Sequence, residues 1–489
     1  MSRINSNVPS LVAQRHLTVS QQALGLSLER LSSGLRINRG ADDPAGLIVS
    51  ERLRSEIAAI DQAVKNSSRA INVIATTEGA LNEVAALLTD IQALVVEAAN
   101  KGAFSDEEIK ANQLQIDASI DSITRIANTT NFAGRKLING ELDYITSGVT
   151  RTELANVHIN GAKFGSRAYI PVTVNVSLSA QQAEVRYTQS TVGANGATID
   201  VGGPDGIITL SFPANASSND IVDAINAQTD DTGVYAALIG TSGVGGVAIR
   251  SQEYGSNAFV GVKEMSTAGS FAVIDRSGGS IVRTAGRDAQ ASINGVSTTA
   301  DGLRLSLSTT NLKADVTLAE DFGNGSVHDG TTTMVGTSTY AITEGGALFQ
   351  LGPQVNTNLQ DNIGVQSMQA NKLGNALVGY LSDLKDGQQY GLRTSNFKQA
   401  SDVVNEVITQ VSFLRGRLGA FERDTLQPNI AQLQITSENL RSSQSVIRDT
   451  DFATETSELT RAQILVQAGN SILAIANAQS QNVLQLLGG

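Results

Sequence analysis

Residues 400–421 read ASDVVNEVITQVSFLRGRLGAF and place apolar side chains at alternating steps of three and four. The positions are Ala400, Val404, Val407, Val411, Leu414, Leu418 and Phe421. A sustained 3.5-residue period keeps one stripe of a helix against a partner helix, as in a coiled coil. The stretch therefore predicts a long helix that packs lengthwise along another helix.

The same period occurs near both ends of the chain. On the N-terminal side it runs through Leu17, Leu24, Leu28, Leu31 and Leu35, and then through Ile60, Val64, Ile71, Ile74 and Leu81. A third N-terminal helix begins with Ser105 and Glu108, whose spacing is that of a capping box. A helix of forty residues is about 60 Å long. Helices of this length predict a coiled-coil rod. Its predicted core consists of Ile60, Val64, Ile71, Ile74 and Leu81 together with Val404, Val407, Val411, Leu414 and Leu418.

The last segment of the chain carries two apolar stripes. One runs through Ala462, Leu465, Ile472, Ala476, Val483 and Leu486, and the other through Leu459, Val466, Leu473 and Leu487. Both terminal segments are rich in alanine and poor in aromatic residues, so each stripe buries little surface when isolated. Two stripes on one helix imply more than one neighbour. We expect these segments to become ordered between copies of the same protein.

The centre of the chain has a different composition. Residues 146–345 hold 26 of the 46 glycines and a net charge of −7 out of −12. The segments 199–201 and 207–212 flank a glycine-rich turn, and 218–228 reads as one short helix. The triplet Ile-Asn-Gly recurs at 138–140, 159–161 and 293–295, and each copy predicts a hairpin tip because Asn-Gly tolerates positive φ. We expect one or two inserted β-rich domains.

Residues that could carry chemistry are scarce. The chain has no cysteine and three histidines far apart in sequence, so neither a catalytic site nor a cofactor or metal site is predicted. Asp42 and Asp43 could be a catalytic pair, but Asp43 as N-cap and Pro44 as the first helical residue explain them better. The net charge of −12 argues against a nucleic-acid partner. No uninterrupted apolar run approaches 18 residues, and the first twenty residues lack a signal-peptide core, so neither membrane insertion nor a cleaved signal is expected.

Several motifs then point to a family. Residues 32–38 read SSGLRIN and 42–47 read DDPAGL, while 447–453 read IRDTDFA and 481–487 read QNVLQLL. These segments closely resemble the terminal signatures of bacterial flagellin. NFAGRKL at 131–137 resembles the family's hairpin, and ASINGV at 291–296 with Ala300 to Gly302 resembles its Ile-Asn motif.

The resemblance implies a structural subunit that self-assembles into the helical flagellar filament outside the cell. The implied division is an inner filament-core domain from 1–42 and 449–489, a helical rod domain from 43–145 and 346–448, and β-rich outer domains at 146–345. In this division Leu17, Leu24, Leu28, Leu31, Leu35, Leu465, Ile472, Ala476, Val483 and Leu486 contact other subunits. Implied partners are an export chaperone, the filament cap and the hook-junction proteins. A hook–filament junction protein is the alternative, and an enzyme displayed on a filament is disfavoured by the absence of a catalytic motif.

The resemblance also bears on immune detection. In family members that activate the Toll-like receptor for flagellin, the helix face equivalent to 88–96 carries arginines and a glutamate. Here Asp90 and Gln92 stand where basic residues are expected, and Ala93 where the acid is expected. We expect this chain to be a poor receptor agonist.

Overall fold

The computed structural model describes residues 7–487 except 103, 166, 240–245, 267–270, 321 and 323–335, with side chains up to Gln479. The chain divides into two compact units. The terminal unit comprises the residues up to Ser68, Gln350–Val355 and the residues from Thr425 onward. The middle unit comprises Arg69–Phe349 and Asn356–Asp424.

The described residues form eight α-helices. They are α1 Val8–Ser33, α2 Pro44–Ala99, α3 Asp106–Thr129, α4 Ser218–Asn226, α5 Thr229–Thr232, α6 Phe397–Phe421, α7 Gln427–Arg448 and α8 Phe452–Leu487. Helical ends around a β-rich centre are the predicted fold class, which is thus confirmed. A π-helical turn, Glu422–Leu426, lies between α6 and α7.

The helix starts follow local chemistry that the sequence made visible. Ser105 and Glu108 form the predicted capping box at the start of α3. Asp43 Oδ1 accepts a hydrogen bond from Gly46 N at 2.8 Å, and α2 begins at Pro44. The structural interpretation of the aspartate pair is confirmed.

Helix α2 buries one face along most of its length. The buried apolar positions are Ile57, Ile60, Ala63, Ala70, Ile74, Leu81, Val84, Leu88, Ile91, Val95 and Ala98. By length and composition alone, α2 is also long and apolar enough to cross a membrane. The sequence expectation differed, because it counted only uninterrupted apolar runs. Core helices of soluble proteins pass the same test. The spacing of three and four between buried positions is that of an amphipathic core helix.

The strands build several sheets. In chain order they are β1 Asn131–Phe132, β2 Arg135–Lys136, β3 Tyr144–Ser147, β4 Leu154–Ala162, β5 Ile170–Leu178, β6 Gln182–Tyr187, β7 Ala197–Gly202, β8 Ile207–Phe212, β9 Val234–Leu238, β10 Val247–Tyr254, β11 Phe259–Glu264, β12 Val273–Ile274, β13 Arg283–Ala285, β14 Gln290–Ile293, β15 Val296–Ser297, β16 Thr299–Asp301, β17 Arg304–Ser308, β18 Leu312–Leu318, β19 Gly336–Gly345, β20 Ala347–Gln350, β21 Gln360–Ile363, β22 Gly374–Asn375 and β23 Gly379–Tyr380. The 3₁₀ helices Thr357–Leu359, Leu381–Leu384 and Leu392–Thr394 lie among the last strands and before α6, so 346–396 contains no α-helix.

Within the described residues, the sheets enclose two hydrophobic cores. In the first β core, the sheet β15-β14-β5-β19-β3 shares buried side chains with the sheet β16-β17-β18-β4. The second β core contains buried side chains from two sheets and from α4. The sheets are β12-β6-β10-β9 and β13-β11-β7-β8. Gln181 N donates to Arg287 O at 2.8 Å, and Arg287 N donates back to Gln181 O at 2.9 Å. Because these two residues pair, the second core is an insertion whose two chain ends meet.

The local β predictions had mixed outcomes. The strand–turn–strand at 199–212 is confirmed as β7 and β8, with Gly202 opposite Ile207, and the short helix is confirmed as α4. The hairpin tip at 293–295 is confirmed, since Asn294 and Gly295 have φ of 50° and 79° between β14 and β15.

The other two Ile-Asn-Gly tips were wrong. Residues 159–161 lie inside β4, where Asn160 Nδ2 donates to Asp315 Oδ2 at 2.6 Å and Asn160 Oδ1 accepts from Arg417 Nη1. These distant partners hold the asparagine extended. Residues 138–140 form a bend in which Glu141 N donates to Asn139 Oδ1 at 3.0 Å, and the strands before and after it, β2 and β3, do not pair with each other.

Candidate subunit-contact site

The two terminal signature segments meet in the terminal unit. Leu35 forms an antiparallel bridge with Asp449. Arg36 N donates to Arg448 O at 2.7 Å, and Thr450 N donates to Gly34 O at 3.0 Å. The motifs that carried the resemblance thus form one short two-stranded joint, although they lie more than 400 positions apart in sequence.

Aspartates shape the turns on both sides of this joint. Asp42 Oδ2 accepts from Asn38 N at 3.0 Å and from Arg39 N at 2.8 Å, and these backbone donors lower the pKa of Asp42. Asp451 Oδ1 accepts from Ala453 N at 2.9 Å at the start of α8, and backbone donors lower the pKa of Asp451 as well. The signature residues therefore fix where α2 and α8 begin.

Helices α1 and α8 run antiparallel to each other. Asn7 Nδ2 donates to Ala476 O at 3.0 Å near one end of the pair. Arg30 Nη1 lies 3.5 Å from Glu455 Oε2 near the other end. The pairing brings the first described helix of the chain against the last.

Small side chains line the contact between α1 and α8. Ala13 and Leu17 are buried on α1, and Ala462 and Ala476 are buried on α8. A Cβ placed on Gly469 would lie 3.2 Å from Leu17 Cδ1. Positions 462, 469 and 476 are one heptad apart, so small residues at this repeat let the helices approach closely.

The predicted subunit contacts differ in burial within one chain. Leu17 and Ala476 are buried, Leu24, Leu31 and Leu35 are half-buried, and Leu28, Leu465 and Ile472 are exposed, while the side chains of Val483 and Leu486 lie outside the described residues. The exposed fractions are 51% for Leu28, 50% for Leu465 and 57% for Ile472. Other apolar residues are exposed beside them, namely Val8, Leu11, Val12, Val19, Ile464 and Ile475. Each helix thus buries one face against the other and exposes a second apolar face.

The predicted rod-core residues are mostly buried. Those on α6, Val404, Val407, Val411, Leu414 and Leu418, are all buried, as are Ile60, Ile74 and Leu81 on α2. Val64 and Ile71 are only half-buried, because the neighbouring Ala63 and Ala70 occupy the buried positions at 1% exposure.

Sequence reasoning missed a partner of α2 in the terminal unit, which is α7. Ile60 and Ala63 pack with Leu433, and Leu440 packs at the edge of that cluster. Arg441 Nη2 lies 2.5 Å from Asp61 Oδ2, which adds an ion pair across the contact. Leu426, Leu433, Leu440 and Ile447 recur every seven residues. That spacing was the available signal for α7.

The face predicted to differ at the immune receptor lies on α2. Asp90 and Ala93 are exposed. Gln92 is half-buried, and its Nε2 donates to Ser401 Oγ at 2.8 Å. Gln92 therefore has a partner on α6 in the same chain, which its sequence position did not show. In the described part of the chain, no three His, Asp or Glu side chains form a group that could hold a metal.

Comparisons with known proteins agree with this arrangement. Residues 4–143 match the family model of the bacterial flagellin N-terminal helical region, and 401–487 match that of the C-terminal helical region. The flagellin of Salmonella muenchen is 31% identical over 99% of both chains, and so is that of Salmonella typhimurium. The chain belongs to the bacterial flagellin family. It is a structural subunit of the flagellar filament, which lies outside the cell and serves motility, and it is not an enzyme.

Two further comparisons add detail. The flagellin hook IN motif matches residues 198–251, within the second β core, so the sequence assignment of that motif to 291–302 was misplaced. The solved structure of FliC from Burkholderia pseudomallei aligns with 74% of this chain and 99% of its own, at 15% identity and a TM-score of 0.23. The two Salmonella relatives, which match over 99% of both chains, are flagellins, so they give no support to the hook–filament junction alternative.

Proposed function

We propose that α1 and α8 together are the polymerising element of the subunit, and that Leu28, Leu465 and Ile472 contact neighbouring subunits. The supporting observation is the second apolar face that this helix pair leaves exposed. At about 100° per residue, Ile464, Leu465, Ile472 and Ile475 fall within one stripe about 100° wide on α8. Ala462, Gly469 and Ala476 fall outside that stripe, on the face that contacts α1.

Burial of this stripe would supply the energy for assembly. Each fully buried Leu or Ile contributes about 1.5–3 kcal/mol relative to the exposed state. The contact would be heterologous, because the stripe on α8 meets a different surface of the next copy. Heterologous contacts that do not close into a ring generate open helical polymers.

The inner filament-core domain in this proposal consists of 1–42 and 449–489. Its boundaries fall next to the joint between Leu35 and Asp449. Residues 43–145 and 346–448 would form the second domain, whose long helices are α2, α3, α6 and α7, and 146–345 the outer domains. Leu24, Leu31 and Leu35, which are half-buried here, would complete their burial in the filament.

The exposed stripe also supports the proposed partners. An export chaperone would cover the apolar face of α8 before assembly, and the cap and hook-junction proteins would contact the same helix pair at the filament ends. The chain would leave the cell through the flagellar export channel without cleavage of a signal peptide.

The test is to place a charge in the stripe. Leu465→Asp and Ile472→Asp should each prevent filament growth from seeds, because an unpaired charge buried in a dry contact costs several kcal/mol. Since both side chains are at least half exposed in one chain, the helical circular dichroism of the monomer should not change. Electron microscopy and sedimentation measure the filaments.

The matched control is Asn470→Asp, which adds the same charge at an exposed polar position of α8. This variant should polymerise normally. Normal filaments from both stripe variants would refute the proposal, and so would an equal loss of filaments in the control.

A further inference from the structure

A buried carboxylate in the second β core lies under three arginines. Glu184 Oε1 accepts from Arg186 Nε at 2.5 Å, and Glu184 Oε2 accepts from Arg250 Nε at 2.6 Å and from Arg276 Nη2 at 3.0 Å. Only 1% of the Glu184 side chain is exposed, against 26–36% of the three arginine side chains. The guanidinium groups therefore cover the carboxylate and themselves reach solvent.

This cluster lies on the face of its sheet that points away from the core. Side chains alternate between the two faces of a strand. Val185 of β6 belongs to the second core, so Glu184 and Arg186 project from the opposite face. Arg250 lies opposite Glu184 on β10, and Tyr235 lies opposite Arg250 on β9. An aromatic ring thus flanks the arginines on the same face.

The cluster has more positive charge than its carboxylate can neutralise. Burial raises the pKa of Glu184, but the hydrogen bond from Arg186 and the charges of Arg276 and Arg250 outweigh that effect and lower the pKa. With Glu184 ionised, three guanidinium groups and one carboxylate leave a surplus of two positive charges. Each guanidinium also has five N–H donors, far more in total than one carboxylate can accept. The surplus is local, because 146–345 carries a net charge of −7.

A fourth arginine adds to the surplus. Arg287 Nη2 donates to Ser179 O at 3.2 Å, while its buried Nε has no partner among the described residues. Burial, and then the charge of Arg276, lower the pKa of Arg287. Two cations close enough to repel each other would be stabilised by an anion placed beside them.

Polar and aromatic groups beside the arginines narrow the class of ligand. Tyr235 Oη donates to Gln182 Oε1 at 3.0 Å, and Gln182 Nε2 donates to Gln252 O at 3.2 Å. Arginine pairs with planar or tetrahedral oxyanions in a bidentate manner. Amide groups suit sugar hydroxyls, and the tyrosine presents an apolar ring surface to a sugar ring. We propose that this face binds an acidic polysaccharide, a chain of sugars that bear sulfate or carboxylate groups.

The location of the filament supports this choice of polymer. The filament lies outside the cell, where it can meet acidic polysaccharides, and the three arginine side chains are 26–36% exposed. This inference is independent of the proposed polymerising role of α1 and α8, which belong to the other compact unit.

The test is a titration of the full-length monomer with heparin and with polygalacturonate, using neutral dextran as the reference. Arg186→Gln combined with Arg276→Gln should lower the affinity about a hundredfold, because each charge-assisted hydrogen bond to the polymer contributes about tenfold. The double variant keeps Arg250 opposite Glu184, so the buried carboxylate stays paired. If the double variant is not folded by circular dichroism, Arg276→Gln alone, in a turn, should still lower the affinity about tenfold.

The matched control is Lys263→Gln combined with Arg283→Gln, which removes the same charge from β11 and β13 of the other sheet. Its affinity should stay within about threefold of wild type. A chain that lacks 182–286, joined where Gln181 and Arg287 already pair, should bind neither acidic polymer. The proposal is overturned if neither polymer binds better than dextran, or if the control loses as much affinity as the arginine variant.

Discussion

Helices α6 and α8 carry the same heptad repeat, but they bury it to different extents. On α6, Val407 and Val411 are fully buried and Leu414 is 2% exposed. On α8, Leu465 and Ile472 are 50% and 57% exposed. A 3.5-residue period therefore identifies which side chains share a face, but not which molecule covers that face. For α6 the cover comes from the chain itself, and for α8 we propose that it comes from another copy.

The two helices also differ in how their charges are held. Arg417 on α6 donates to Gly364 O at 2.6 Å and to Asn160, and it is near the half-buried Asp143. On α8 the buried Glu455 has a simple ion pair with Arg30 at 3.5 Å. Helix α6 is thus tied to the first β core by polar groups of fixed geometry, whereas α8 is held to α1 mainly by close approach of small residues.

The largest expected effect contrasts one leucine from each helix. Leu414→Ala removes a buried side chain and should lower the free energy of unfolding of the monomer by about 2–5 kcal/mol. Leu465→Ala removes a half-exposed side chain and should change it by no more than about 0.5 kcal/mol. Denaturant unfolding of the monomer, followed by helical circular dichroism, measures both.

In filament growth, the order of the two variants should be reversed, with the larger effect for Leu465→Ala and the smaller for Leu414→Ala. Leu465→Ala should raise the critical concentration for growth from seeds, while folded Leu414→Ala monomer should polymerise near the wild-type concentration. Equal destabilisation of the two monomers would mean that the helices do not differ as described.

A smaller effect should appear in the pH dependence of the middle unit. Burial raises the pKa of Asp143 from the usual 3.8 to about 6, against opposing effects of the Tyr144 N–H and Arg417. The folded state binds this proton more tightly than the unfolded state does. The protonated Asp143 carboxyl therefore contributes to stability at low pH, and this contribution is lost as the pH rises from about 4 to about 6. A shift of about two pKa units corresponds to about 3 kcal/mol at most.

The variant Asp143→Asn should remove this contribution while keeping an oxygen for the Tyr144 N–H. Burial lowers the pKa of His158 in the same unit, and that group titrates in the opposite sense. The informative quantity is therefore the difference in unfolding free energy between wild type and variant across pH 4–7. Glu141→Gln, which removes an exposed neighbouring carboxyl, is the control for loss of one charge in this bend. A difference for Asp143→Asn that does not change across this pH range would show that its carboxyl is solvated.

The sequence predicted the parts of this molecule that depend on local chemistry. The capping box at Ser105, the start of α2 at Asp43 and the hairpin at Asn294 each involve residues within a few positions of one another. The identical triplet at Asn160 became part of a strand, because its partners Asp315 and Arg417 lie 155 and 257 positions away. The same limit applies to the subunit contacts, since the periodicity of α8 shows a stripe but not what covers it. The arginines around Glu184 were missed for this reason, as three separate segments bring them together.

The smallest expected effect concerns the recognition of α2 by an immune receptor. Like α6, α2 buries apolar side chains at steps of three and four. We propose that the monomer is a poor agonist of the flagellin receptor, because the exposed Asp90 and Ala93 stand where the resemblance places a basic and an acidic side chain. The variant Asp90→Arg with Ala93→Glu should raise potency about tenfold in a receptor-reporter assay, the value of one charge-assisted hydrogen bond. Adding Gln92→Arg tests the third position, but it also removes the hydrogen bond to Ser401 and should lower the free energy of unfolding of the monomer by about 1 kcal/mol.

Asp90→Asn with Ala93→Gln is the neutral control, and its potency should not rise. Full potency of the unmodified monomer would refute the prediction, and so would an equal gain in the neutral control, because charge at these two positions would then not be what the receptor recognises.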